Sequence, residues 1–228
     1  LILKPIAMYP SNDKPIPRTR SKTLIILSRI ASFIFQPLFM TALMAFAIYK
    51  LAPDDFSNFS FQEFKKWFEQ LLLYTVVLPF LLILVFRVSG LISNARMHQP
   101  KDRIPPLLAT IVLYLLAYKF FNSHYNFPLL FKILLLGSCC SIVLIFVVNF
   151  FYKVSVHTAA AAIVPGICIA LALNESLGIT LPLTLALVIA MVVGIIRWLL
   201  GAHTVGQILL GYAIGILTQL GAYFYLNT

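Results

Sequence analysis

The chain reads as an all-α integral membrane bundle of six to seven transmembrane helices, and three observations say so. Of its 228 residues, 61% are hydrophobic and 11% charged, with a mean hydropathy of +0.96. A soluble domain is about half apolar and about one quarter charged. Apolar runs recur along the chain, and a run of about 20 residues crosses a bilayer as a helix. The polar residues able to do chemistry sit where those runs begin or end. Residues 1–228 therefore form a single transmembrane domain with no soluble module.

The elements follow in order. Residues 1–22 are basic and contain Pro without an apolar core, so no cleavable signal peptide is expected there. Seven apolar segments follow, at 23–51, 67–88, 106–121, 129–152, 158–174, 180–198 and 204–225. Pro37 interrupts the first and is expected to kink it, because proline removes a helical N–H and its ring clashes with the preceding turn. The same segment also reads as an interfacial stretch followed by a short span from near Pro37. Residues 56–70 alternate aromatic and polar groups, a pattern suited to the headgroup zone, and read as an interfacial helix leading into the second span. The third segment is short, and Lys119 is expected to snorkel to the interface. Cys139, Cys140 and Cys168 lie inside apolar runs and read as small buried hydrophobes. Their odd number and spacing fit neither a disulfide framework nor a zinc site. Gly194, Gly201, Gly206, Gly211 and Gly215 are expected to serve close helix packing.

Charge predicts the orientation. With seven crossings, residues 1–22, 87–105, 153–157 and 197–203 share one side. Together with Arg29 that side holds twelve Lys/Arg and two acids, against five and five on the other, so it carries the whole net charge of +10. Basic loops remain cytoplasmic. No soluble basic domain carries the charge, so nucleic acid is not an expected partner.

Three polar clusters lie on that side. They are Arg96 to Arg103 (Arg-Met-His-Gln-Pro-Lys-Asp-Arg), Lys153-Val-Ser155-Val-His157-Thr158, and Arg197 followed six residues later by His203. Two crossings separate each from the next, so parity alone puts all three on one face. Arg presents a planar fork that suits phosphate. Imidazole titrates near neutrality and can act as nucleophile or acid. Phosphoryl transfer asks chiefly for charge neutralisation on the phosphate oxygens. Alone, each cluster reads as a positive-inside loop or an interfacial histidine. Together they read as a phosphate site built from Arg96, Arg103, Lys153, Ser155, Arg197, His157 and His203. Lys101 is a secondary candidate. His98 has no assigned role, and His124 belongs to the opposite side.

The order and spacing Arg-x6-Arg, Ser-x-His-Thr, Arg-x5-His resembles the type-2 phosphatidic acid phosphatase superfamily over residues 90–225. Its signatures are Lys-x6-Arg-Pro, Pro-Ser-Gly-His and Ser-Arg-x5-His-x3-Asp. Here Arg96 stands for the Lys, Arg103-Ile-Pro105 for Arg-Pro, and Val154-Ser155-Val156-His157 for Pro-Ser-Gly-His. Ile196 replaces the Ser before Arg197, and Gln207 replaces the Asp. The resemblance implies a metal-independent, cofactor-free hydrolase of a lipid phosphate or diphosphate in the plasma (inner) membrane of a bacterium. In it His203 is the nucleophile that forms a phosphohistidine, and His157 protonates the leaving oxygen. Arg96, Arg103, Ser155 and Arg197 bind the phosphate, with Lys153 a further contact. Gln207, one turn after His203, orients the imidazole without the charge an Asp would bring. A non-catalytic lipid-phosphate-binding or scaffolding protein is the second reading, and a transporter of a phosphorylated lipid or small anion the third. The resemblance implies an outward-facing site, whereas the charge count predicts a cytoplasmic one, and the charge count decides the expectation.

Overall fold

The computed structural model describes residues 21–51, 53–92, 100–123, 127–173 and 178–228. Among these the chain is helical without strands, and it forms a helical membrane bundle. The helices are α1 (Lys22–Ile34), α2 (Pro37–Leu51), α3 (Phe61–Leu72), α4 (Leu78–Val88), α5 (Ile104–Asn122), α6 (Leu129–Val148), α7 (Val156–Leu173), α8 (Thr180–Leu199) and α9 (Val205–Leu226). Six helical runs are long and apolar enough to cross a membrane; the bent pair α1 and α2 makes a seventh if counted as one span.

The first apolar segment breaks where Pro37 requires it. The residue before a proline is pushed out of the helical region, so α1 stops at Ile34 and α2 starts at Pro37, the two axes meeting at 58°. Met40 near the start of α2 packs with Ala160 and Ala161 of early α7. Further along α2, Met44 and Ile48 join a core containing Phe131 and Leu171. So α2 runs the thickness of the bundle, and α1 lies apart on the face where α7 begins.

The helix expected within residues 56–70 leads into the second span without a break. A tight turn at Pro53–Phe56 precedes α3, and Ser60 and Glu63 close a reciprocal capping box at its start. From Phe61 the helix continues to Val88 as one 28-residue run. A π turn at Leu73–Val77 interrupts it, with the Leu78 N–H reaching back to the Leu73 carbonyl. Pro79 lies just beyond and supplies no N–H to the preceding turn. The wider turn accommodates it, and Thr75 Oγ1 donates to the Leu71 carbonyl at 2.8 Å.

Burial is distributed as a bilayer requires. Along α8, Leu181, Leu185, Val188, Val192 and Ile195 are exposed at alternating steps of four and three residues, one continuous apolar stripe. In water such a stripe would be a sticky patch; facing acyl chains it is matched to its solvent. Cys139 and Cys168 are buried as expected, but Cys140 lies on the outer surface, since its neighbour in sequence takes the inward position. Lys119 is exposed in the last turn of α5.

The most buried helix is α7, with 67% of its apolar window inside the bundle. Its closest neighbour is α9, and glycine sets their separation. A Cβ added at Gly215 would overlap the Ala159 carbonyl oxygen. One added at Gly211 would overlap Thr158 Oγ1 and stand 2.7 Å from the Ser155 carbonyl oxygen. Small residues let backbones approach in membranes, where dispersion replaces the hydrophobic effect as the driving force. Gly194 performs the same service for Tyr212, whose hydroxyl donates to the Ala190 carbonyl at 2.6 Å and ties α9 to α8. Gly201 does not serve packing: its φ of +65° places it in the left-handed region. Gly206 meets only the Tyr152 hydroxyl, at 3.1 Å. Deep in the bundle, fully buried Gln219 bridges α9 to α6. With its nitrogen donating to the Ile133 carbonyl and its oxygen accepting the Ser138 N–H, both at 3.2 Å, each amide atom is satisfied.

Because a backbone oxygen cannot rotate away as a side chain can, Gly215→Ala should force α7 and α9 apart. We expect a loss of about 1–3 kcal/mol in unfolding free energy, the usual range for overpacking. Gly221, whose added Cβ would meet nothing within 4 Å, should tolerate Ala without loss. Equilibrium unfolding in mixed detergent micelles distinguishes the two.

Candidate functional site

Four short segments meet on the face where α5, α7 and α9 begin and α8 ends. The spacing of Arg197 and His203 follows from how α8 stops. Gly201 takes the left-handed conformation that ends many helices, and the N–H groups of Gly201 and Ala202 bond back to the Trp198 and Arg197 carbonyls at 3.0 and 3.1 Å. The chain thereby reverses within five residues and delivers His203 beside the last turn of α8.

Thr204 then caps α9. Its Oγ1 accepts the Gln207 N–H at 3.4 Å, while Gln207 Oε1 accepts the Thr204 N–H at 3.3 Å. The same Oε1 lies 3.0 Å from His203 Nδ1. An amide oxygen only accepts, so this contact places the proton on Nδ1 and leaves the Nε2 lone pair free of it. Gln207 is 1% exposed, and its carbonyl accepts the Ser155 N–H at 3.3 Å. One residue therefore fixes the His203 tautomer, the start of α9 and the approach to α7.

At the α7 end, Ser155 is fully buried, and its Oγ accepts the Thr158 N–H at 3.4 Å, the bond of a helix N-cap. Thr158 Oγ1 lies within hydrogen-bond reach of the carbonyls of Ser155 at 3.0 Å and Ile208 at 3.2 Å. The expected phosphate-ligand hydroxyl of Ser155 is thus engaged in positioning the first turn of α7, which carries His157. Asn149 Oδ1 accepts the Val154 N–H at 3.3 Å and shapes the loop that presents Lys153.

The cations converge. Arg197, Lys153 and Arg103 all act electrostatically on His203, Arg197 acts on His157 as well, and Arg103 acts on Arg197. Each of these side chains is half-buried. Burial pushes the His203 imidazole down to about 3, with repulsion from Arg197, Lys153 and Arg103 adding to it and the Gln207 bond opposing it. At neutral pH His203 is a neutral base amid three positive charges, an environment that calls for an anion. Two buried donors on the same face, Arg197 Nε and Asn149 Nδ2, make no hydrogen bond.

Of the residues expected from sequence, Arg103, Lys153, Ser155, His157, Arg197, His203 and Gln207 come together. Arg96, along with His98 and His124, lies outside the described residues. One participant was not expected. Ser32 Oγ of α1 accepts a hydrogen bond from Arg197 Nη1 at 2.9 Å. Its sequence signal is slight: Ser28 and Ser32, one turn apart, put a polar edge on an otherwise apolar helix.

The His203 environment predicts proton-coupled anion binding. A dianion among these cations raises the His203 pKa above its free value near 3, so the complex holds more proton than the free protein in the window above that value. Sulfate, doubly charged throughout, should bind more tightly as pH falls toward the free His203 value of about 3. His203→Ala should flatten that slope, measured by titration calorimetry. No protein-family model, curated protein or solved structure matches this chain, so its likeness to the phosphatase superfamily rests on the three clusters themselves.

Proposed function

We propose that this protein is a membrane-embedded, metal-independent phosphatase of the type-2 phosphatidic acid phosphatase kind, acting on a lipid phosphate or diphosphate. One observation carries the reading: Arg103, Lys153 and Arg197 converge on a neutral His203 whose Nε2 is left unprotonated by the Gln207 bond. Arg96, Arg103, Lys153, Ser155 and Arg197 hold the phosphate oxygens. His203 Nε2 attacks phosphorus and the bond to the lipid oxygen breaks, while His157 gives that oxygen its proton. Water then attacks the phosphohistidine, His157 takes the proton, and inorganic phosphate leaves with His203 restored. The lipid tails remain among the apolar helix faces and the headgroup sits among the cations. Candidate substrates are phosphatidate, phosphatidylglycerophosphate, a polyprenyl diphosphate and a lipid A phosphate.

A second reading, a non-catalytic binder of lipid phosphates on the same fold, is favoured by one feature. Gln207 gives His203 a dipole and no countercharge, and a neutral residue at an orienting position costs a serine protease about 10⁴ in rate.

Release of phosphate from purified protein in EDTA, across a panel of lipid phosphates, separates the two. His203→Ala and Arg197→Ala should abolish release, and His157→Ala should slow it least for good leaving groups. Vanadate should compete with substrate. Full activity in His203→Ala would refute the phosphohistidine route, and no release by wild type from any lipid phosphate would favour the binder.

The resemblance suggests a bacterial inner-membrane protein, and the charge count favours this face in the cytoplasm. Removing Arg96, Lys101, Arg103, Lys153 and Arg197, whose charge the site itself requires, still leaves seven cations there. Single cysteines at Ser11 and Ser57, probed with an impermeant thiol reagent in intact cells, test it: Ser57→Cys should label and Ser11→Cys should not.

A further inference from the structure

The N-terminal helix reaches the site at Ser32. We infer that Ser32 is a positioning residue of the phosphate site, holding Arg197 through its hydroxyl; this rests on the phosphate-site reading above. The hydroxyl contact is 2.9 Å from Arg197 Nη1, half-buried, between residues 165 apart in sequence.

One turn earlier, Ser28 is buried on the same helix face but makes no contact with Arg197 among the hydrogen bonds described.

The role of the Ser32 hydroxyl is geometric. A guanidinium on an arginine side chain has many rotamers, and an unanchored one loses freedom when it grips an anion. With Nη1 tethered, the guanidinium has less freedom left to lose on gripping an oxyanion. Ser32 does not touch the reacting atoms in this arrangement; it acts through Arg197.

The experiment is sulfate binding by the full-length chain in nanodiscs, with thermal unfolding of each variant. Ser32→Ala should weaken sulfate by about tenfold, the size of one hydrogen bond to a charged group, at unchanged melting temperature. Ser32→Thr, which keeps the hydroxyl, should restore most of the affinity, and Ser28→Ala should leave it unchanged. Sulfate binding that is equal in Ser32→Ala and wild type, but lost in Arg197→Ala, would overturn the role of Ser32 and leave the phosphate site standing. Equal losses in Ser28→Ala and Ser32→Ala would overturn it too, by assigning the effect to helix packing. No sulfate binding by wild type would remove the phosphate site itself, and the inference with it.

Discussion

Everything at the site hangs on the glycine contact between α7 and α9. Gly211 and Gly215 bring the two backbones close enough for Thr158 Oγ1 to reach the Ile208 carbonyl, and for the Ser155 N–H to reach the Gln207 carbonyl. These bonds register the beginning of one helix against the beginning of the other. One histidine rides on the first turn of α7 and the second stands just ahead of the α9 cap, so the spacing of the helices becomes the spacing of the imidazoles. In lipid no hydrophobic force presses helices together, so close packing must supply the rigidity a catalytic or binding geometry needs.

Electrostatics then works against the fold and in favour of a ligand. Three cations act on one neutral imidazole, and a buried guanidinium nitrogen makes no hydrogen bond. Burying like charges together costs stability unless an opposite charge joins them. Here the packing of α7, α8 and α9 supplies the stability that holds these groups together. Stability and affinity are thus drawn from different layers of the same bundle.

Much of this was legible in the sequence because membrane helices write their boundaries plainly. The segment read as 106–121 is helical from Ile104 to Asn122, and that read as 180–198 runs from Thr180 to Leu199. Parity alone put the three clusters on one face, and Arg103, Lys153, His157, Arg197 and His203 do meet. The Gln207 bond to His203 follows from a spacing of four residues. What was hidden depends on tertiary context. The π turn that lets the run from Phe61 continue past Pro79 has no local signature. The capping bond that Ser155 Oγ accepts is not announced by the sequence, because it depends on where α7 begins. A lone Ser32 in an apolar stretch carries no period, and only the 58° bend at Pro37 brings it to Arg197.

The continuous run from Phe61 to Val88 has a consequence of its own. Its 28 residues rise about 42 Å, against a hydrocarbon layer of about 30 Å. The surplus falls at its polar, aromatic beginning, and tilt is how an over-long helix meets a thinner bilayer. The π turn gives that tilt a place to bend. Changes in membrane thickness are therefore absorbed on the periphery by a helix that contributes none of the site residues described here. The glycine-locked pair at the centre keeps its internal distances, and the reacting geometry is insulated from the thickness of the lipid around it.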